Sequence, residues 1–418
     1  MQSTNQHNTL DHIFRHEYGK IIAILVHKFG PQNLEKIEDV VQDAFLKAMQ
    51  VWGYQEVPKN PTAWLLRVAN NGLIDVFRKD KKMQEHDDVL QLLKRFSSQQ
   101  EEVELQNRIQ DSQLKMIFAC CNPALSQEYQ LILSLKLIGG FSNKEISRAL
   151  LKKEDTVAKS FTRAKQRFKD KIKTLDIPIE MGLISRINLV LKVIYLLFTE
   201  GYTASTGEVM VKRDICYEAI RLALLMTENE STDISEVHAL IALMCFHTSR
   251  FDARADEKGD LIDLEHQDRS KYDQGLIRSG MRHFQMAQSK TAQNPLYYLQ
   301  SAVSYYYCEA QRFEDINWKG ILEIYDVQLR YSYSPIIRLN RVVPLYKVEG
   351  AKKGLKVLED LFEDTNLENN SLYYSLKAQL LQELSRNKEA KEVYGKAIAL
   401  TKNEIQKRHL TKKRNQIA

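Results

Sequence analysis

Glycine and proline are scarce in this sequence, with 16 glycines and 8 prolines among 418 residues. A chain of many short strands needs more turn residues than this, so an all-α architecture is predicted. Hydrophobic residues make up 44% and charged residues 27%, the balance of a globular rather than a disordered chain. The length indicates two to four domains.

Long apolar runs are also missing. The best candidate for a membrane span, residues 187–198, is too short and carries Asn188 and Lys192. No apolar signal-peptide segment is visible. These absences predict a cytoplasmic protein that has no membrane partner.

Motifs for metal binding and catalysis are absent as well. The five cysteines form no CxxC pair and no zinc-type Cys/His pattern, so reduced thiols packed as small apolar groups are predicted. His238, His247 and the acidic residues of 252–266 lack HExxH or DxDxDG order. GxSxG, P-loop and dinucleotide-binding fingerprints are not found. The sequence therefore predicts no metal, no cofactor and no enzymatic activity.

The charge distribution says more than the net charge, which is only +6. Basic residues are concentrated at 67–82 and 159–173, whereas 101–104 and 359–368 are acidic. Two separate basic patches fit a protein that contacts DNA at two places.

Residues 142–173 have the pattern of a helix-turn-helix. Ser142 and Glu145 have the spacing of a capping box, and Asp155 is expected to cap the second helix. Apolar residues recur every three or four positions along that helix, which predicts one buried stripe of Val157, Phe161, Ala164, Phe168 and Ile172.

The opposite face of this helix suits the major groove. Arginine and lysine pair with guanine, glutamine with adenine, and threonine with either. The residues in question are Lys159, Thr162, Arg163 and Gln166. A helical hairpin with a solvated basic face remains the alternative.

Two more helices are predicted in the first 82 residues. Along 37–52 an inward stripe is formed by Val41, Ala44, Phe45 and Ala48. Its opposite face, by composition an ordinary solvated face, holds Asp39, Gln42 and Asp43.

The next helix, 62–78, is expected to bury Trp64, Leu65, Val68 and Ile74. Its outer face offers amides and a carboxylate beside cations, a combination able to contact unpaired base edges. These side chains are Arg67, Asn70, Asn71, Asp75, Arg78 and Lys79. In the preceding loop, Trp52 and Tyr54 are candidates to stack on exposed bases.

The order and spacing of these segments resemble sigma factors of the extracytoplasmic-function type throughout residues 10–173. Residues 38–45, EDVVQDAF, resemble the segment by which these sigma factors dock on the polymerase. Residues 61–71, PTAWLLRVANN, resemble their −10 recognition and melting helix. Residues 155–165, DTVAKSFTRAK, resemble the −35 recognition helix of the same family. Asn70 and Gly72 depart from this pattern, which commonly has a basic and a larger apolar residue there.

The resemblance implies core RNA polymerase, through its β′ clamp helices and β flap, and promoter DNA as partners. It places the docking residues Asp39, Gln42 and Asp43 near the clamp helices. It brings Asn71, Asp75 and the loop 52–60 to the single-stranded −10 element. Contacts with the −35 element are expected from Thr156, Lys159, Ser160, Thr162, Arg163, Gln166 and Arg167.

The rest of the chain resembles a narrower group of these sigma factors, which carry a long tetratricopeptide-like C-terminal domain. Matching segments are CCNPAL at 120–125, FTEGY at 198–202, QDRS at 267–270 and LNR at 339–341. In the last hundred residues the spacing itself is typical of a tetratricopeptide helix pair. The residues that carry it are Tyr374, Ala378, Leu381, Ala390, Tyr394 and Ala397.

Four segments are therefore predicted: a polymerase- and −10-binding domain at 1–82, a linker at 83–110, a −35-binding domain at 111–178, and a helical extension at 183–418 with repeats near 297–402. We expect a sigma factor whose extension regulates it through an intramolecular or protein partner. The alternatives are a one-component DNA-binding regulator that senses a ligand, and an enzyme fused to a sigma factor. A polar cluster at Arg250, Arg254, Gln267, Asp268 and Arg269 is interpreted as a locking network in preference to an effector site.

Overall fold

The computed structural model describes most of the chain, in the ranges 17–52, 57–79, 99–150, 152–177, 183–203, 213–257, 259–292, 294–364, 367–401 and 403–417. Regular structure in these ranges is helical apart from one isolated bridge between Ala255 and Leu261. The prediction of an all-α fold is confirmed. None of the described helices combines the length and the hydropathy that a membrane span requires.

The chain divides into two compact units, Met1–Leu197 and Phe198–Ala418. The first unit contains α1 (17–29), α2 (Leu34–Trp52), α3 (Pro61–Lys79), α4 (Gln99–Cys120), α5 (Gln127–Leu133), α6 (Asn143–Ala149) and α7 (Glu154–Lys171). The division falls inside α8 (Leu183–Thr203).

The apolar stripe predicted for α2 is confirmed, because all four of its residues are buried. The face predicted for α3 is partly wrong. Leu65 is buried, but Trp64, Val68 and Ile74 are only half-buried. The helix instead turns Leu66, Ala69, Asn70, Leu73 and Phe77 inward, a stripe with the same spacing on a neighbouring face.

Helix α4 begins at Gln99, inside the segment predicted as a partly helical linker. Glutamine and glutamate favour helices even where apolar periodicity is thin. Residues 80–98 lie outside the described ranges.

The capping box at Ser142 is present. The Ser142 hydroxyl accepts from the Glu145 amide at 3.2 Å, and the Glu145 carboxylate accepts from the Ser142 amide at 2.8 Å. All five residues of the stripe predicted for α7 are buried. The cap predicted at Asp155 is wrong, because α7 begins at Glu154 and puts Asp155 in its first turn. A carboxylate there still interacts favourably with the helix dipole.

The second unit contains α9 (Arg213–Thr227), α10 (Ser235–Thr248), α11 (Gln274–Ser289), α12 (Leu296–Glu309), α13 (Trp318–Tyr331), α14 (Pro335–Glu349), α15 (Ala351–Asp364), α16 (Ser371–Glu383), α17 (Asn387–Leu400) and α18 (Glu404–Gln416). Helix α10 is its central element, since 13 of its 14 residues are buried. A helix that is buried all round is packed against neighbours on every side.

Helices α14–α18 share one apolar core. It is built from Leu339, Val342, Leu358, Leu380 and Tyr394, among others. Of the six residues with repeat spacing, only Tyr374 is half-buried and the other five are buried.

Candidate functional site

Helix α2 presents one polar face to solvent. Asp39, Gln42 and Asp43, the three residues predicted to bind polymerase, are exposed on it. Val41 and Ala44, at 0% exposure on the opposite face, anchor the helix in the core. A rigid helix with an exposed acidic and amide surface is a suitable docking element for a partner protein.

Helix α3 presents a second polar face. Its exposed side chains are Arg67, Asn71, Asp75, Arg78 and Lys79. Asp75 and Arg78 lie 3.6 Å apart with 65% and 70% of their side chains exposed. A pair this exposed contributes little to stability, so both groups remain available to a ligand.

Asn70 occupies a different position from the other −10 residues. It is only 1% exposed, and its Oδ1 accepts a hydrogen bond from Lys28 Nζ at 3.1 Å. In this conformation the amide does not reach the surface. The core position gives a reason for a short amide here, because a long basic side chain would have to be buried beside the ammonium of Lys28.

The loop before α3 is anchored by a tryptophan pair. Trp52 is 6% exposed, and its ring centroid lies 5.2 Å from that of Trp64. In this arrangement the Trp52 ring packs in the interior rather than facing solvent. Tyr54 lies outside the described residues.

Helix α7 carries a third polar face. Six of the seven residues predicted to contact the −35 element are exposed on it: Thr156, Lys159, Thr162, Arg163, Gln166 and Arg167. The seventh, Ser160, is half-buried and donates to Glu128 at 3.0 Å. Glu128 also binds Lys152 at 2.7 Å, and these hydrogen bonds lower the pKa of its carboxyl, with that from Lys152 the largest cause.

Two ion pairs join α7 to α2 within the first unit, and sequence reasoning missed both. Lys165 Nζ lies 2.7 Å from Glu38 Oε2, and Lys169 Nζ lies 2.8 Å from Glu35 Oε1. Glu38 is 4% exposed and also accepts from the Tyr18 hydroxyl at 3.3 Å. The partners stand 127 and 134 residues apart in the chain, so no local pattern reveals them.

The α2–α7 contact belongs to a wider packing of the first unit. Gly19 in α1 lies so close to Ile138 that an added Cβ would come within 2.0 Å of the Ile138 carbonyl oxygen. His27 Nδ1 lies 2.9 Å from Ser112 Oγ in α4. The candidate polymerase and −10 surfaces therefore share one packed body with the candidate −35 helix.

Comparison with known families assigns the first three helices. Residues 13–83 match the family description "Sigma-70 region 2". These residues form a sigma-70 region 2 domain. The match covers the exposed faces of both α2 and α3, so the chain has a domain of the type that interacts with core RNA polymerase.

A full-length relative is also known. A protein of Rhizobium meliloti (strain 1021), named only as uncharacterised, is 33% identical over 380 residues, which cover 89% of this chain and 88% of that protein. The two proteins belong to one family. Residues 186–288 of the chain match a family of unknown function, DUF6596. No solved structure matches the chain.

No group of three or more His, Cys, Asp or Glu side chains within the described ranges could hold a metal ion. The five cysteines are all buried and free, in agreement with the prediction of packed thiols. Burial raises the pKa of Cys121 and Cys245 to about 12, so these thiols are unreactive at neutral pH.

Proposed function

We propose that this protein is a sigma factor of the extracytoplasmic-function type that binds core RNA polymerase, recognises promoters and opens them. The match of 13–83 to sigma-70 region 2 carries the proposal. The exposed polar faces of α2 and α3 within that match support it.

In the proposed mechanism α2 docks on the β′ clamp helices through Asp39, Gln42 and Asp43. The carboxylates make this face complementary to a basic surface, which favours correct docking and fast association. Chemistry is left to the polymerase.

Helix α3 is proposed to capture the single-stranded −10 element. Asn71 and Asp75 would bond to base edges, while Arg67, Arg78 and Lys79 would contact phosphates. Capture of unpaired bases drives strand separation because it stabilises the open strand relative to the duplex. Binding should weaken steeply as salt rises, since phosphate contacts release counterions.

Helix α7 is proposed to read the −35 element in the major groove as the second helix of a helix-turn-helix. Thr162, Arg163 and Gln166 form the exposed reading face, and Lys159 and Arg167 flank it. Ser160 is proposed to contribute from the edge, and its bond to Glu128 holds α7 against α5.

The α2–α7 contact is proposed to break when both promoter elements are bound. The −10 and −35 elements are centred about 25 base pairs apart, roughly 85 Å at about 3.4 Å per base pair. Helices joined by a 2.7 Å ion pair cannot reach both sites on straight DNA. The ion pairs would therefore define a closed state of the free protein.

The second unit is proposed to be the regulatory part of the protein. Helices α12–α17, which span the predicted repeat region 297–402, are proposed to stack as tetratricopeptide-like pairs, in which a concave face receives a peptide or a neighbouring domain. The buried residues of α16 and α17 at repeat spacing support this assignment.

Run-off transcription with purified core polymerase tests the proposal. The template is genomic DNA that includes the gene's own upstream region, and the wild-type protein is compared with Asp75→Ala and Arg163→Ala. Both variants should weaken sigma-dependent transcripts, because each loses a DNA contact; one base contact accounts for about 1–3 kcal/mol.

Matched controls are Glu392→Ala and Lys391→Ala, exposed charges on α17 whose loss should leave transcript levels unchanged. Duplex binding with no transcript and no association with core polymerase would make the protein a conventional DNA-binding regulator.

A further inference from the structure

Three arginines of the second unit are buried or half-buried, and none of them has an acidic partner among the residues that the structure describes. Arg250 and Arg254 flank the short turn Phe251–Ala253 that follows α10, and Arg269 begins a later turn. Arg250 is 8% exposed, while the other two are half-buried. In the part of the chain that the structure describes, no carboxylate forms an ion pair with any of them.

The guanidinium groups of Arg250 and Arg254 both contact Tyr202, and those of Arg250 and Arg269 both contact Tyr307, Arg269 through the backbone carbonyl. The Arg254 guanidinium carbon lies 3.9 Å from the centroid of the Tyr202 ring, and Arg250 Nη2 lies 3.4 Å from the Tyr202 hydroxyl. Arg250 also lies 5.7 Å from the centroid of the Tyr307 ring. Arg269 Nη1 donates to the Tyr307 carbonyl at 2.7 Å.

Each arginine keeps an unused donor in the interior. Arg250 Nε, Arg254 Nη1 and Arg269 Nη2 are buried and have no hydrogen-bond partner in the described ranges. Buried donors in folded proteins almost always form a hydrogen bond. Three guanidinium nitrogens without one therefore indicate that another molecule supplies the acceptor.

His247 adds no charge to this group of side chains. Its Nδ1 lies 3.5 Å from Arg250 Nη2, and its Nε2 lies 3.4 Å from the hydroxyl of Ser304. Burial, followed by the charges of Arg250 and Arg254, lowers the pKa of His247 well below its ordinary value. The imidazole is therefore neutral, and the cluster keeps the full charge of its arginines, which stay protonated in proteins.

Nearby acidic and amide groups are engaged elsewhere. Asp252 pairs with Arg213 at 2.5 Å, and Asp268 accepts from Ser270 at 2.6 Å. Gln267 donates to the Ile262 carbonyl at 3.1 Å and accepts from the Tyr272 hydroxyl at 3.0 Å. Asp315 lies near Arg269 but is exposed and pairs with Arg312 at 3.0 Å. Asp268, which the locking-network interpretation grouped with the three arginines, bonds to Ser270 and forms no ion pair with them within the described residues.

We propose that Arg250, Arg254 and Arg269, gathered around Tyr202 and Tyr307, form a binding site for the oxyanion group, phosphate or carboxylate, of a small molecule. The planar fork of a guanidinium bonds such groups with two parallel hydrogen bonds. An oxyanion supplies the missing counter-charge and accepts from the unused donors. Cation–π contacts with the tyrosines offset only part of the cost of burying these charges.

The burial pattern selects a small ligand. Arg250 lies deep, whereas Arg254, Arg269 and Tyr202 are half-buried and form an approach from solvent. A single oxyanion group can reach in among the three guanidiniums, but a polymer of phosphates would stay outside. The proposal concerns binding alone and does not depend on transcription by the first unit.

Isothermal titration calorimetry and thermal unfolding of the full chain test the site. The probes are inorganic phosphate and malonate, each at millimolar concentration in chloride buffer of constant ionic strength. At least one probe should bind and raise Tm. Binding of phosphate alone identifies a phosphoryl ligand, and binding of malonate alone a carboxylate ligand.

Arg254→Gln should weaken binding of that probe by about tenfold or more. In buffer without either probe the same variant should have an unchanged or higher Tm, because it removes a charge that lacks a partner. A purely structural arginine would give a lower Tm instead. Arg278→Gln, a change in an exposed arginine of α11, is the matched control and should bind as wild type does.

Failure of both probes to bind, or equal binding by wild type and Arg254→Gln, would overturn the proposal. Neither of these results affects the outcome expected in the run-off assay, so the binding-site proposal and the proposed function can be disproved independently.

Discussion

The two units of this protein differ in whether their buried charges have an oppositely charged partner. In the first unit Glu38 is 4% exposed and meets Lys165 at 2.7 Å and the Tyr18 hydroxyl at 3.3 Å. In the second unit Arg250 is 8% exposed and lies against Tyr202, Tyr307 and His247, and no carboxylate of the described residues pairs with it. A buried charge with an oppositely charged partner holds two helices together. A buried charge without one can be neutralised by a bound ligand of opposite charge.

The largest expected effect is the separation of α2 and α7 on promoter binding. A fluorophore pair at Gln50→Cys and Lys171→Cys, both exposed positions, should report transfer in the free protein. Transfer should fall when core polymerase and promoter are added, because the two promoter elements are tens of ångströms apart. The native cysteines are buried and will not compete for label. Unchanged transfer in a complex that is active in transcription would contradict the closed-state proposal.

Among the substitutions considered, loss of the ion-pair partner of the buried Glu38 should lower the stability of the protein the most. Lys165→Ala leaves Glu38 as an unpaired buried carboxylate and should lower the free energy of unfolding by about 3–5 kcal/mol. Chemical denaturation measures the change. The control is Lys169→Ala, whose partner Glu35 is 57% exposed, and it should cost about 1 kcal/mol or less.

The double variant Glu38→Gln with Lys165→Ala should recover much of the loss, since no charge is then left buried. Equal destabilisation by the single and double variants would mean that packing, and not the ion pair, holds α7 against α2.

A buried histidine pair of the second unit should give a smaller effect that depends on pH. His238 Nδ1 lies 2.8 Å from His283 Nδ1, and His238 Nε2 lies 2.6 Å from Asp233 Oδ1. Burial, followed by the charge of His238, lowers the pKa of His283 from 6.5 to about 4. Histidine, unlike arginine, can be buried without a counter-ion because it gives up its proton.

The folded state binds the His283 proton less tightly than the unfolded state, so acid favours unfolding. Stability should be full above pH 6.5 and should fall as pH drops from 6.5 towards 4. One pKa unit corresponds to 1.36 kcal/mol, and solvent screening reduces the total to about 2 kcal/mol. Between pH 6.5 and 4, Tm should depend less steeply on pH for His283→Gln than for the wild type. Equal pH dependence of Tm in the two proteins would show that His283 does not cause the loss of stability in acid.

The smallest effect is expected in α3, where no buried charge is involved. Gly72→Ala should stabilise the helix by about 1 kcal/mol, since alanine has the higher helix propensity. An added Cβ would lie 3.5 Å from Val40, an ordinary contact, so packing offers no objection. Chemical denaturation measures the free energy of unfolding of this variant, which can be compared with the larger losses expected for Lys165→Ala. A loss of stability would show that α2 and α3 pack too closely for a methyl group.

Local patterns predicted much of the first unit correctly. The stripes of α2 and α7 and the capping box at Ser142 depend on residues three or four apart, which share a helix face. The face of α3 was harder to predict because two neighbouring stripes are apolar, one through Leu65 and Val68 and the other through Leu66 and Leu73. Only packing against α1 and α2 decides between such stripes.

The sequence by itself determined the helices, their apolar faces and the resemblance to sigma factors, because helical periodicity and motif order are properties of residues near each other in the chain. Tertiary structure alone decided that Lys165 meets Glu38, that Asn70 is in the core and that Arg250 meets no carboxylate in the part of the chain that the structure describes. Whether a buried charge has a partner depends on the path of the whole chain, which brings together or keeps apart residues more than a hundred positions distant.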